Sequence, residues 1–176
     1  MTKTVRTRLD LLETSQLPSS VLATAAELNR AADVSTRLIA GGATLAVTVL
    51  AHDGKTILLD TAAGSIITLP AASGTGAIFK FAVSVTATSN SHIIKVANAS
   101  DTMKGLIFTL SDNAADAVVG WLAGAASDTI TLNRTTSGTA AVGQYIELQD
   151  IATNVFSVRG FTAATGAEIT PFSATV

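Results

Sequence analysis

The chain has 176 residues and a mass of 17.8 kDa, enough for one domain or two very small ones; 48% of the residues are hydrophobic, only 14% are charged, and the net charge is −2. A composition this apolar excludes a disordered chain, and the slight acidity argues against a nucleic-acid binder. The absence of cysteine excludes disulfide staples, zinc-thiolate sites and thiol nucleophiles.

Residues 1–40 are expected to form an N-terminal arm with one short helix, and residues 41–176 a β domain. Lys3, Arg6 and Arg8 open the arm, but no apolar run follows them, so a signal peptide is not expected. Leu9, Leu11 and Leu12 then cluster between Arg6, Arg8 and Glu13, a pattern that can lie across a partner with its leucines buried and its charges at the rim. After Pro18, Thr24-Ala25-Ala26-Glu27 has the form of a capping box: the Thr24 hydroxyl can accept from the amide three residues on, while Glu27 reaches back. The good helix formers that follow predict a helix over about 24–33.

From Gly41-Gly42 onward the chain reads as β. Thr44–Ala51 and Thr56–Asp60 flank His52-Asp53-Gly54-Lys55, whose Asp-Gly pair predicts a tight hairpin. Further strands are expected at Ser65–Leu69, Ile78–Thr86, His92–Ala97, Gly105–Leu110 and Thr129–Asn133, with a closing hairpin of Gln144–Gln149 and Val155–Phe161. In the second of these, Ile78, Lys80 and Ala82 fall on one face and Phe79, Phe81 and Val83 on the other. Gly, Pro, Asn, Asp and Ser clusters separate the strands. That rhythm predicts a mainly β fold: an antiparallel β-sandwich, jelly roll or small barrel, without βαβ units. The uncharged run Leu38–Ala51 is well short of the ~20 residues a membrane span needs, so no membrane partner is expected. The surplus of apolar residues is instead expected to be hidden in an oligomer.

Chemistry-bearing patterns are few. His52 beside Asp53 sits in a predicted turn, where a solvated loop is a better reading than a catalytic dyad. Asp112 and Asp116 lack the dense oxygen set that calcium needs. Gly74-Thr75-Gly76 leads into a strand, whereas a phosphate cradle should lead into a helix, so it reads as a turn. Asn98-Ala99-Ser100 and Asn133-Arg134-Thr135 match a glycosylation pattern that a Thr- and Ser-rich chain supplies by chance. Trp121, the only tryptophan, reads as a core or subunit-interface anchor. No catalytic residue, metal ligand or cofactor site is expected, and the chain is not expected to be an enzyme.

Two stretches carry a family resemblance. The first runs from Ile67-Thr68-Leu69-Pro70 through Gly74-Thr75-Gly76 to Phe79-Lys80-Phe81, continuing over Ser89–Val96; it resembles a pattern common in tailed-bacteriophage virion proteins. The second, Gly143–Gly160, resembles the closing hairpin of small phage head-decoration, or cement, proteins. Thr24–Asn29 is also similar to a segment recurrent in phage structural proteins. The resemblance implies a structural virion protein on the outer surface of the capsid, a homotrimer clamping neighbouring major capsid proteins. In that role Arg6, Arg8, Leu9, Leu11 and Leu12 would form the capsid-binding arm, and Trp121 a subunit contact. The rival reading is a tail-fibre or receptor-binding domain that recognises a cell-surface glycan.

Overall fold

The structure, a computed structural model, describes Thr24, Glu27, Leu28 and residues 36–111 and 118–176. The chain divides into a unit of residues 1–36 and a unit of residues 37–176. In the first unit the capping box is formed as its sequence predicts. The Thr24 hydroxyl accepts from the Glu27 amide at 3.2 Å, the Glu27 carboxylate accepts from the Thr24 amide at 2.7 Å, and Leu28 N–H closes the first helical turn onto the Thr24 carbonyl. The remainder of the predicted helix lies outside the described residues.

The second unit is mainly β, and its described residues form twelve strands and one helical turn: β1 (Leu38–Ala40), β2 (Thr44–Ala46), α1 (Val49–His52), β3 (Thr56–Leu59), β4 (Ser65–Thr68), β5 (Ile78–Val83), β6 (His92–Lys95), β7 (Thr102–Ser111), β8 (Val119–Leu122), β9 (Thr129–Leu132), β10 (Tyr145–Ala152), β11 (Val155–Ala164) and β12 (Phe172–Ser173). They make two sheets, one of seven strands in the order β1-β3-β5-β10-β11-β7-β8, the other of five in the order β12-β9-β6-β4-β2. The seven predicted strands from Ser65 onward are all present, within a few residues of their expected ends. β1, β8 and β12 are not among the strands expected from the sequence, and β1 brings into the sheet three residues that the sequence places with the arm.

Two expectations need correction. The sheets are mixed rather than antiparallel, and Thr44–Ala51 and Thr56–Asp60 are not a hairpin. The first six strands alternate between the sheets, so the chain winds in three successive coils, and like strands of adjacent coils pair in parallel: β1 with β3, β3 with β5, β2 with β4, and β4 with β6. Each parallel pair is thus linked through the opposite sheet, which supplies the crossover that a parallel connection requires. The predicted hairpin fails because Thr48 caps a helical turn. Its extended backbone and its hydroxyl, which accepts from the Ala51 amide, bend the chain out of the five-stranded sheet before Gly54 returns it to the other. The antiparallel pairing enters later, where β10 joins β5 to β11, β8 joins β7, and β9 joins β6 to β12.

Winding stacks like on like. Across the seven-stranded sheet, Ile39, Ile57, Phe81, Ile146, Gly160, Ile107 and Trp121 are successive register neighbours on the inner face. Opposite them, Leu45, Ile67, Ile94, Ile130 and Phe172 form the matching row of the five-stranded sheet. Phe79 and Phe156 add an edge-to-face pair with ring centroids 6.5 Å apart. The core between the sheets is therefore built from apolar rows, one position per strand, as the period-two patterning of β5 and β10 requires.

Candidate functional site

The outer face of the seven-stranded sheet carries the chemistry, and its rows follow from the same register. One row reads Lys80, Glu147, Arg159, Leu106 and Leu122; the next reads Ala82, Tyr145, Phe161, Phe108 and Gly120. One end of the first row is polar and satisfied. Arg159 Nε donates to Glu147 at 2.8 Å, a second guanidinium nitrogen pairs with the same oxygen, and the Tyr145 hydroxyl donates to the other oxygen at 2.7 Å. Burial alone would raise the Glu147 carboxyl, but the Tyr145 hydrogen bond and the Arg159 and Lys80 charges hold it below its usual range. Burial and the same carboxylate push the Tyr145 hydroxyl up to about 12.

Toward β7 and β8 the face turns apolar. The rings of Phe108 and Phe161 stack with centroids 5.9 Å apart and planes 18° from parallel. Leu106, Leu110, Val118, Leu122 and Val142 are also exposed. Beside the stacked rings lies a groove of about 380 Å³ floored by Phe108, Leu110, Val118, Val142 and Phe161. This face was not singled out from the sequence, although a signal existed: Leu106-Ile107-Phe108-Thr109-Leu110 is apolar on both parities, the mark of a strand covered on both sides.

The positions that the sequence did single out are not brought together. Arg6, Arg8, Leu9, Leu11, Leu12, Asp112 and Asp116 lie outside the described residues. Trp121 packs its ring against the edge of the core on the inner face, and its indole nitrogen is buried without a partner. The next residue, Leu122, points outward and is 77% exposed. His52 and Asp53 do not form a pair. The His52 ring is buried against the Thr48 backbone, while the Asp53 carboxylate accepts from the Ile78 amide and sets the start of β5. Asn98 and Asn133 spend their side chains on local turns, Asn98 donating to Asp101 and Asn133 to Thr136. Among the described residues no three His, Asp or Glu side chains could together hold a metal ion.

Gly74-Thr75-Gly76 is a turn, but one with an anion at its centre. The amides of Ser73, Gly74 and Thr75 and the Thr75 hydroxyl all donate to the Asp150 carboxylate of β10 at 2.7–3.2 Å. The loop is thus a nest of converging amides filled by the chain's own carboxylate. Asp128 plays the same part at the other end of the chain, accepting from the Thr129 hydroxyl and from the Thr175 and Val176 amides. For both, burial pushes the carboxyl up and these hydrogen bonds outweigh it, leaving the pKa below its ordinary value.

His92 is fully buried, with Nε2 on the Val85 carbonyl and Nδ1 without a partner; burial lowers its pKa despite that bond and the nearby Asp60. All of these groups therefore release protons more readily in the folded state, so stability rises with pH. For His92 the loss begins as pH falls below about 6.5, and for Asp128, Glu147 and Asp150 it follows below about 4, continuing through their folded values. Urea midpoints measured from pH 8 to 3 are expected to fall in these two stages. A midpoint that rises on acidification would contradict the arrangement.

Compared with protein families, with curated proteins and with solved structures, the chain matches none.

Proposed function

We propose that the protein is a capsid decoration protein of a tailed phage, a non-catalytic homotrimer on the outer surface of the head that clamps neighbouring major capsid proteins. The observation that carries this reading is how the two resembling stretches meet. β5, from the first stretch, pairs directly with β10, from the second, and the Ser73–Thr75 amides of the first enclose Asp150 of the second. They make one β body. The charge-poor surface and the outward apolar face also suit a subunit that works by contact. His52 and Asp53, each engaged elsewhere, offer no dyad to the enzymatic alternative.

In this reading the arm with Arg6, Arg8, Leu9, Leu11 and Leu12 grips the shell, and the β unit, with its own core, folds without it. Deleting residues 1–17 is expected to leave the far-UV spectrum of the β unit intact while abolishing binding to capsids, read by densitometry of sedimented particles. Full occupancy by the truncated chain would overturn the arm's role. Location is tested by immunogold labelling of intact virions. Label over the head supports decoration, and label confined to the tail tip establishes the receptor-binding rival instead.

A further inference from the structure

From the outer face of the seven-stranded sheet we infer that copies of this chain join there, Leu122 of one copy seating in the groove beside Phe108 and Phe161 of the next. The inference identifies the surface used by the oligomer of the proposed function, and it is tested by self-association alone. Two of the six phenylalanines are spent on this face, stacked on each other in the open, while the other four are buried. Phe161 is 66% exposed, Val142 63% and Leu110 54%. With Leu106, Phe108, Val118 and Leu122 they expose on the order of 700 Å², above the ~300–600 Å² of a typical monomer's largest apolar patch and close to the ~800 Å² that each partner contributes to a standard interface.

The chemistry of the face selects its occupant. Among the described residues no charged side chain lines the groove; Arg159, in the same row as Leu106 and Leu122, is tied to Glu147, and Lys104, one row on, to the carbonyls of Gly124 and Ala125. Among the described residues the groove itself offers no cation to a nucleic acid or an anionic headgroup. The face offers instead both halves of a contact: a hole of about 380 Å³ and a knob, Leu122, 77% exposed and one row away on the edge strand β8. A second copy of the chain presents that same pair, so knob and hole repeat between neighbours, as a closed homo-oligomer requires. Because β8 is an edge strand, Leu122 can be covered without unpairing any strand of the sheet.

The test is sedimentation equilibrium of the full chain and of two exposed-site variants, Leu122→Asp and Phe161→Asp, across the micromolar range, with far-UV spectra as a folding control. The wild type is expected at a multiple of 17.8 kDa, and both variants are expected at the single-chain mass with the wild-type spectrum. A wild type that stays at the single-chain mass overturns the inference. So does a Leu122→Asp chain that keeps the wild-type oligomer mass; that result removes this interface but leaves the decoration reading intact, since head labelling is read separately. A monomeric wild type that adsorbs to neutral lipid vesicles would also overturn it and assign the face to lipid.

Discussion

Asp150→Ala is expected to destabilise the β unit by about 2–3 kcal/mol, the upper part of the scale for removing one charged acceptor from several donors at once. The carboxylate is 2% exposed and satisfies three consecutive amides and one hydroxyl of the loop that links β4 to β5. Removing it leaves four donors without their acceptor in a loop whose residues Ser73, Gly74 and Thr75 are exposed, so water takes over part of the loss. The damage spreads because the loop and β10 are also laced by backbone bonds, Gly76 N–H to the Asp150 carbonyl and Asp150 N–H to the Ala77 carbonyl. Asp150→Asn keeps the shape and one acceptor oxygen, so it is expected to recover part of the loss at pH 7 and to flatten the stability profile below about pH 4, where the native carboxylate takes up its proton. Urea unfolding measures both effects. A loss under about 1 kcal/mol for the alanine variant would mean that water replaces the carboxylate freely.

The second large effect is expected at Gly105→Ala, with a cost of at least about 3 kcal/mol or failure to fold. Gly105 has φ +137°, and a Cβ built on it would lie 1.9 Å from the Val158 carbonyl oxygen. That contact is backbone, so no rotamer change relieves it. β7 must move away from β11, and the ten-residue parallel pairing between them is the longest among the described residues. Gly54→Ala is the matched control: its φ is +72°, but the space around it is open, so the cost is limited to about 1–2 kcal/mol of backbone strain. Equal losses for the two variants would show that steric approach at Gly105 is not what matters. The midpoint of thermal unfolding, followed by circular dichroism, separates the cases.

Local rules made a good part of the molecule legible in advance. The capping box at Thr24 and Glu27, the parity of β5, and the facing of Tyr145 and Glu147 away from Ile146 and Leu148 each depend on residues a few positions apart, so the sequence by itself determined them. Pairing does not work that way. Thr44–Ala46 and Thr56–Leu59 look like hairpin partners because they are near in sequence, yet Thr56 is register neighbour to Lys80, and Thr44 to Ile66. Parallel partners about twenty residues apart leave no local signature, since the only requirement is that the apolar side chains of one coil lie over those of the next. The candidate site shows the same division. Composition announced surplus apolar surface, but which residues carry it depended on β11 pairing with β7, which sets Phe161 beside Phe108 across more than fifty residues of chain. The anion nest was hidden for the same reason: Ser73, Gly74 and Thr75 read as a turn from their own neighbours, and only the tertiary structure brings Asp150 into it.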